Sequence, residues 1–403
     1  MNEPKQAEVN IGLAGHVDHG KTSIVKGLSG KWTDTHSEEL KRGITMKLGY
    51  ADTTFYKCKD KEGNEKYTVK PDECEGEPEV VRKISFIDCP GHETLMTVTL
   101  SGANIMDGAL LIIAANEECP QPQTKEHLAA LDITDTKNIV IAQTKIDLVD
   151  KKQAEKHKKQ IEELIKGTVA ENAPIIPIAA HHNINYDKLI QAIEEEIPTP
   201  KRDPNKPGRL RIARSFDINK PGSPIKDMKG GIIGGSLTQG KLKVGDEIEI
   251  VPGIREDGET KKLETEITSL STEKHEIKEA NPGGLIGVQT KLDPSLTKGD
   301  NLIGSIVSKK GTSPQVKKEI EIKPTLLEEN VGIEEIEPLK TNENLVITVG
   351  TDTVLGTVEK IFKDTVKIKL RKEIPIEKNA RIAISRKIKA RWRLIGYGEI
   401  VEK

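Results

Sequence analysis

Over the first two hundred residues, short apolar runs alternate with longer stretches of mixed polarity. The apolar runs have the length and composition of buried strands, and they are Val9–Ala14, Ile84–Cys89, Ala109–Ala115, Asn138–Gln143 and Pro174–Ala179. The stretches between them predict helices at Lys21–Leu28, Glu93–Ser101, Lys125–Leu131, Lys151–Lys166 and Tyr186–Glu196. Strands that alternate with helices form mostly parallel sheets covered on both faces. The pattern therefore predicts an α/β domain with a doubly wound sheet over residues 1–200.

The pattern changes in the segment Ile197–Gly208, which contains four prolines and so excludes a helix or a central strand. We interpret residues 201–208 as a linker. Beyond it, helical periodicity is nearly absent, and short β-rich runs are separated by glycine and proline. A second break lies near Lys309–Val316. The pattern predicts two β-barrel domains, over residues 209–315 and 316–403.

Three features indicate a cytoplasmic protein. The segment Met1–Glu8 is polar and does not resemble a signal peptide. The longest strongly apolar run, Ala109–Ala115, is too short to span a bilayer, so no membrane partner is expected. The cysteine content of this long chain does not predict a disulfide framework; the cysteines are Cys58, Cys74, Cys89 and Cys119.

Charge is nearly balanced over the whole chain, with a formal net charge of -2, but it is uneven near the C-terminus. The segment Lys360–Arg393 contains thirteen Lys or Arg residues and three Asp or Glu residues. Such a run is either a solvated face or a surface for a polyanion such as RNA.

The first strand leads directly into Gly15–Thr22, a full match to the phosphate-loop pattern G-x-x-x-x-G-K-[ST]. Glycines allow the backbone N–H groups to converge on phosphate oxygens at a helix N-terminus. Lys21 is expected to neutralise the β- and γ-phosphates, and the Thr22 hydroxyl to ligate Mg²⁺. The predicted nucleotide-binding residues of this loop are Asp18, His19, Gly20, Lys21, Thr22 and Ser23.

A second motif, Asp88–Glu93, follows the strand Ile84–Cys89. Asp88 can hold a magnesium-bound water, and the backbone N–H of Gly91 can meet the γ-phosphate. His92 is the candidate that positions the attacking water, because phosphoryl transfer depends mainly on positioning and charge stabilisation. Thr45, between the two motifs, is the candidate Mg²⁺ ligand that responds to the γ-phosphate.

The segment Thr144–Asp147 ends a later predicted strand and is the candidate guanine-reading loop. The Asp147 carboxylate can accept the two hydrogen bonds that guanine donates and adenine does not, so the site should select GTP. Lys145 would lie along the base. The backbone N–H groups of Ala179–His181 could donate to the guanine O6; those residues are Ala179, Ala180 and His181.

In this order, the motifs resemble those of translational GTPases related to elongation factor Tu. Within that group the sequence is most similar to the gamma subunits of archaeal translation initiation factor 2. The stretches that carry this closer resemblance are Gly43–Asp52, Gly91–Leu95, Pro120–His127, Phe216–Gly222 and Arg391–Gly398.

The resemblance implies a GTPase, acting on the acid anhydride of GTP, that is part of a heterotrimer with alpha and beta subunits. In the GTP form the complex would carry methionyl initiator tRNA to the small ribosomal subunit, and DNA is not an expected partner. The aminoacyl end would lie between the GTPase domain and the first barrel. The implied ligands are GTP or GDP and Mg²⁺, with Lys21, Thr45 and His92 in catalysis. Asp18 is implied as a second magnesium-associated carboxylate that, like Asp88, acts through water.

This chain departs from the family pattern at three places. Thr144 replaces the usual Asn, and Ala179 replaces the usual Ser. Archaeal members carry a four-cysteine zinc knuckle after the first switch, whereas this chain keeps Cys58 and Cys74 as remnants. Because structural zinc needs four ligands, we predict that zinc is absent.

Other functions remain open at this stage. An elongation factor, general or selenocysteine-specific, would share the nucleotide motifs. The GTPase subunit of a sulfate-activating complex would bind a nucleotide-transferring partner and no tRNA. A binding module that has lost hydrolysis is disfavoured by the presence of Lys21, Thr22, Thr45, Asp88 and His92.

Overall fold

The computed structural model describes residues 3–33, 47–60, 62–92, 95–220, 222, 224–256, 259–327, 335–377, 380–389 and 391–401. The chain forms two compact units, the first ending at Pro200 and the second beginning at Lys201. Within the described ranges, no helix is both long enough and apolar enough to cross a membrane.

The first unit is built on a seven-stranded sheet. Its strands are β1 (Val9–Ala14), β2 (Gly49–Lys59), β3 (Glu65–Thr68), β4 (Glu75–Asp88), β5 (Gly108–Ala114), β6 (Ile139–Thr144) and β7 (Ile175–Pro177). They lie in the order β3-β2-β4-β1-β5-β6-β7. The pairs along β4-β1-β5-β6-β7 are parallel, and β2 runs antiparallel to β3 and β4. The prediction of a mostly parallel α/β domain is confirmed.

The helices of the first unit are α1 (Lys21–Ser29), α2 (Met96–Ala103), α3 (Pro122–Ile133), α4 (Lys151–Ile165) and α5 (Tyr186–Glu196). Successive side chains of a strand point to opposite faces. Leu110 and Ile112 of β5 accordingly pack into one apolar cluster with residues of α1 and α5. Leu111 and Ile113 pack into a second cluster with residues of α3 and α4. Both faces of the sheet are therefore covered, as expected for a doubly wound fold.

Some element boundaries differ from the sequence prediction. Helix α3 begins at Pro122 instead of Lys125, because proline fits the first turn of a helix, where no N–H partner is needed. Helix α2 begins at Met96 instead of Glu93, and residues 93–94 lie outside the described residues. Strands β2 and β3 were not predicted, because their sequences mix polar and apolar residues.

The second unit contains two closed antiparallel barrels, which confirms the prediction of two β-barrels. The part of the chain that forms the first barrel contains the strands β8 (Arg209–Phe216), β9 (Ile232–Gln239), β10 (Leu242–Lys243), β11 (Glu247–Glu256), β12 (Glu259–Ser271), β13 (Glu276–Ile277), β14 (Glu279–Ala280), β15 (Leu285–Thr290) and β16 (Ile306–Lys309). The barrel sheet runs β11-β16-β8-β9-β15-β12-β13, and pairing of β11 with β12 closes it, whereas β10 and β14 pair with each other in a separate two-stranded sheet.

The second barrel consists of β17 (Val316–Leu326), β18 (Asn344–Val349), β19 (Asp352–Ile361), β20 (Val366–Pro375), β21 (Arg381–Ile388) and β22 (Arg391–Ile400). It closes in the order β17-β20-β19-β18-β21-β22. Glu377 pairs with Arg209 and Arg211 of the first barrel, and the Thr351 hydroxyl donates to the Ile212 carbonyl oxygen at 2.7 Å. These contacts join the two barrels into one unit. The exact domain boundaries stay a prediction.

The cysteine expectation was wrong, because Cys58 and Cys74 form a disulfide. Cys58 lies near the end of β2, which pairs with β3 and β4, and Cys74 directly precedes β4. This pairing brings the two Cα atoms to 5.7 Å, a separation that allows a disulfide. Cys89 and Cys119 are free and buried, and burial raises the pKa of the Cys119 thiol to about 12.

Some residues of the basic C-terminal run take part in ion pairs. Lys367 contacts Glu319 and Glu359, Lys372 contacts Asp352, and Arg386 contacts Glu343. These pairs favour a solvated, salt-bridged face for this part of the run, and a surface for a polyanion such as RNA is the untested alternative for the remainder.

Candidate nucleotide-binding site

The phosphate loop joins β1 to α1, and its shape depends on glycine. Gly15 and Gly20 have φ angles of 148° and 96°, in the region that favours glycine. A Cβ atom on Gly15 would lie 2.3 Å from the carbonyl oxygen of Ile112. Helix α1 begins at Lys21, immediately after Gly20, so its first N–H groups face the loop. This arrangement is suited to binding an anion.

A cavity of about 550 Å³ opens over this loop, a size that suits a small-molecule ligand. It contains all but one of the predicted nucleotide-binding residues. They are Asp18, His19, Gly20, Lys21, Thr22, Ser23, Gly91, Thr144, Lys145, Asp147, Ala180 and His181. Three further lining residues had not been predicted, namely Val17, Trp32 and Leu148. Segments far apart in the sequence thus meet at one cavity.

Lys21 is buried against the phosphate loop. Its Nζ donates to the carbonyl oxygens of Gly15 at 2.9 Å and His16 at 2.7 Å. Gly91, from the second motif, packs on the same loop, since a Cβ atom there would lie 2.5 Å from the Lys21 Nζ and 2.9 Å from both the Gly15 carbonyl oxygen and the Val17 backbone nitrogen. Only glycine allows this approach. The backbone of Gly91 and the Lys21 ammonium are therefore adjacent, as expected if both face the same phosphate.

Oxygen ligands suited to a magnesium ion meet at the carboxyl edge of the sheet. Asp88 ends β4, which pairs in parallel with β1, so it lies beside the phosphate loop. Its fully buried carboxylate Oδ2 accepts hydrogen bonds from the hydroxyls of Thr22 at 2.9 Å and Thr33 at 2.6 Å. Hydroxyl and carboxylate oxygens are the ligands that Mg²⁺ prefers, together with water and phosphate. The residues present therefore fit the ion.

No group of three or more His, Cys, Asp or Glu side chains that could hold a metal occurs in the described part of the chain. A magnesium ion needs no such group, because it is usually bound by one or two carboxylates, substrate phosphates and water. Zinc absence stays a prediction. The disulfide nevertheless engages the two cysteines that were interpreted as knuckle remnants.

His19 contributes its backbone to the cavity, because its side chain is buried beneath the loop. The ring Nδ1 lies 3.1 Å from the Ile112 carbonyl oxygen, and Nε2 lies 3.4 Å from Glu117 Oε2. Burial lowers the pKa of His19 to about 4, although the Ile112 carbonyl and Glu117 act in the opposite direction. Burial also lowers the pKa of His127 to about 3. Both rings are therefore neutral near pH 7.

The candidate catalytic residues are placed differently. Lys21 lines the cavity. His92 is half-buried and directly follows Gly91, but it is not among the residues that line the cavity. Thr45, with the rest of residues 34–46, lies outside the described residues.

Thr144 links the guanine-reading loop to the phosphate loop. It ends β6, and its hydroxyl donates to the His19 carbonyl oxygen at 2.7 Å. The residue that departs from the family pattern thus makes a structural hydrogen bond. Lys145 has a φ angle of 56° and directly precedes a short helical turn, Ile146–Leu148, that contains Asp147.

Ala179 is completely buried and does not line the cavity. The following turn, Ala180–His182, presents Ala180 and His181 to it. His182 Nε2 lies 3.8 Å from Asp147 Oδ2, so this turn also contacts the predicted guanine-reading carboxylate.

Sequence reasoning missed Trp32, which is 43% exposed and forms one wall of the cavity. The Lys26 Nζ lies 5.1 Å from the centre of its ring. Trp32 belongs to no recognised motif. Its type could have drawn attention, because the chain has two tryptophans and this one lies three residues after the helix of the phosphate loop.

Family models cover three parts of the chain. Residues 6–199 match the Elongation factor Tu GTP binding domain, residues 230–306 match Elongation factor Tu domain 2, and residues 318–400 match Initiation factor eIF2 gamma, C terminal. The last match distinguishes this chain from elongation factors.

Among solved structures, the bacterial selenocysteine-specific elongation factor EF-Sec has a TM-score of 0.75 at 21% identity, covering 98% of this chain and 58% of that one. Elongation factor SelB from Methanococcus maripaludis, in complex with a GTP analogue, has a TM-score of 0.73 at 22% identity. That match covers 100% of this chain and 80% of the other. At these identities the likeness shows a shared fold.

Sequence similarity is far higher to initiation factors. Translation initiation factor 2 subunit gamma from Methanococcus vannielii is 58% identical over 410 residues, with 100% of both chains covered. This relationship confirms the resemblance inferred from the motifs. The chain belongs to the gamma subunits of translation initiation factor 2, within the translational GTPases.

Proposed function

We propose that this chain binds and hydrolyses GTP with Mg²⁺ and, in its GTP form, carries methionyl initiator tRNA to the small ribosomal subunit in the cytoplasm. It would do so as the gamma subunit of a heterotrimer with alpha and beta subunits. The observation that carries the proposal is the single cavity where the phosphate loop, Gly91 and the Thr144–Asp147 loop meet.

The phosphate end of the cavity would bind the charged part of the nucleotide. The Lys21 ammonium is buried and donates hydrogen bonds to carbonyl groups of the phosphate loop. It therefore already lies beside the position expected for a phosphate. The backbone N–H groups at the start of α1 and at Gly91 would donate to phosphate oxygens. A cation and N–H groups held in a buried site bind an anion strongly, because little water competes.

The base end would select guanine. Asp147 lines the cavity and is held by the turn that follows Lys145. Its carboxylate can accept hydrogen bonds from both guanine donors, whereas adenine would leave it unpaired and desolvated. Such a mismatch in a site built on hydrogen bonds gives strong discrimination.

Hydrolysis requires a positioned water and stabilisation of charge on the transferred phosphoryl group. When bound, Mg²⁺ would neutralise negative charge on the nucleotide phosphates. Thr22 would hold it directly, and Asp88 and Asp18 would hold it through water. We propose that Thr45 is a further ligand and that His92 orients the attacking water. His92 directly follows Gly91, which lines the cavity, and this adjacency supports the proposed role.

The cargo and the partner subunits are proposed from membership of the family. A direct test measures deacylation of methionyl initiator tRNA in the presence of a non-hydrolysable GTP analogue, with methionyl elongator tRNA as the control. The chain should be assayed alone and with alpha and beta subunits. We expect selective protection of the initiator tRNA that depends on the triphosphate. Equal protection of both tRNAs would favour a general elongation factor. Protection of neither would contradict the tRNA-carrying role.

A further inference from the structure

Thr33 makes a buried contact with the carboxylate that is expected to serve the metal. The residue is 7% exposed, and its hydroxyl donates to Asp88 Oδ2 at 2.6 Å. Thr22, the predicted metal ligand, donates to the same oxygen at 2.9 Å. Thr33 belongs to none of the nucleotide motifs, so sequence reasoning assigned it no role.

The neighbouring backbone is shaped to admit this contact. Gly49 starts β2 and lies opposite Asp88 in the antiparallel pair with β4. A Cβ atom on Gly49 would lie 2.7 Å from the Thr33 Cβ and 3.3 Å from the Asp88 Cβ. A side chain at position 49 would therefore displace Thr33 from the carboxylate. Thr33, Gly49 and Asp88 form one packed unit beside the phosphate loop.

A buried carboxylate is stabilised and oriented by the hydrogen bonds that it accepts. Residues that orient a metal-associated carboxylate influence metal affinity without touching the ion, and their loss costs about 10–100-fold in affinity. Two hydroxyls on one oxygen limit rotation of the Asp88 carboxylate about its side-chain bonds. Of the two, the Thr22 hydroxyl would turn to the metal, whereas Thr33 can remain on Asp88.

We propose that Thr33 is a positioning residue for magnesium, acting through Asp88. This inference rests on the proposed Mg²⁺-dependent nucleotide binding. It predicts that the Thr33 hydroxyl sets the magnesium concentration at which the nucleotide is retained. It does not predict a change in nucleotide binding when magnesium is absent.

The test measures the dissociation rate of a fluorescent GDP analogue over a range of free Mg²⁺ concentrations and in excess EDTA. Thr33→Val removes the hydroxyl at nearly constant shape, and Thr33→Ser retains it. We expect the midpoint of the magnesium dependence to rise at least about tenfold in Thr33→Val and less than about threefold in Thr33→Ser. The rate in EDTA should be unchanged. Thr53→Val is a matched control, because it removes a hydrogen bond from the Thr53 hydroxyl to the Leu28 carbonyl oxygen, elsewhere in the α/β domain.

A second variant tests the inference without deleting the hydroxyl. Gly49→Ala should displace Thr33 and raise the midpoint in the same direction, even if Thr33→Val folds poorly. An unchanged midpoint in both variants would overturn the inference. So would equal acceleration at every magnesium concentration, including EDTA, since that result indicates a general defect of the pocket. If GDP binding by the parent chain does not depend on magnesium, the proposed role of Mg²⁺ in nucleotide binding is wrong, and this inference is wrong with it.

Discussion

The two ends of strand β4 differ in how their structure arises. At its C-terminal end, Asp88 lies fully buried beside the phosphate loop and contacts Thr22 and Thr33. At its N-terminal end, exposed Glu75 follows Cys74, whose disulfide to Cys58 ties β4 to β2. The first end depends on short, contiguous motifs, and the second on pairing between separate strands. One 14-residue strand thus carries residues of the nucleotide-binding motif at one end and directly follows a disulfide-bonded cysteine at the other.

Between the two ends, Arg82 anchors β4 to helix α5. Its guanidinium Nε lies 2.8 Å from Glu194 Oε1, and it also donates to the carbonyl oxygens of Ile193 and Ile197. Burial raises the pKa of Glu194, and Arg82 opposes that rise. The contact is structural and lies outside the nucleotide cavity.

The largest expected effect on stability follows from breaking this pair. Arg82→Met leaves Glu194 buried without its cation, so we expect the free energy of unfolding to fall by about 3–5 kcal/mol. Chemical denaturation of the parent and variant measures the loss. The double variant Arg82→Met with Glu194→Leu should recover most of it, because no charge remains buried. A loss below about 1 kcal/mol in the single variant would show that the pair does not anchor β4.

A smaller effect is expected at the disulfide end. The sequence separation of Cys58 and Cys74 is 16, and closing a loop of that length stabilises a protein by about 3 kcal/mol. Cys58→Ser should therefore lower the free energy of unfolding by up to about 3 kcal/mol and leave GDP affinity within about twofold. Thiol titration of the denatured parent chain should find two thiols without reductant and four with it. Four thiols without reductant would contradict the disulfide.

The smallest effect is expected from the buried histidines behind the phosphate loop. The folded-state pKa of His127 is lowered from 6.5 to about 3, chiefly by burial, so the unfolded chain binds more protons below pH 6.5. Stability should therefore fall as the pH falls, by about 0.7 kcal/mol from this residue between pH 7 and pH 6. His127→Leu should remove that share of the pH dependence, as measured by denaturation at both values. An unchanged pH dependence in the variant would mean that His127 does not differ in protonation between the two states.

The fold and much of the site could be predicted because the relevant information is local. Gly15 and Gly20 have φ angles that favour glycine, and both belong to one contiguous motif. Asp88 and Thr144 end parallel strands, so alternation of strands and helices places them at one edge of the sheet.

The parts that were missed depend on contacts between distant segments. Cys58 and Cys74 meet only because β2 and β4 pair, and the polar pattern of β2 did not predict a strand. Thr33 gains its role from Gly49 and Asp88, which no spacing in the sequence relates to it. The interior position of the His19 ring was also unpredicted, because the motif specifies the backbone of that loop and not each side chain.

We infer that Asp147 reads guanine in the cavity that begins at the phosphate loop. The most direct measurement compares the affinities of the parent chain and Asp147→Asn for GTP and xanthosine triphosphate at one magnesium concentration. Xanthine has a carbonyl where guanine has an amino group, so an amide at position 147 matches it. We predict that the variant loses at least about a hundredfold in GTP affinity, about 2.7 kcal/mol, and gains affinity for xanthosine triphosphate. Unchanged GTP affinity in the variant would contradict the assignment of this cavity as the guanine site.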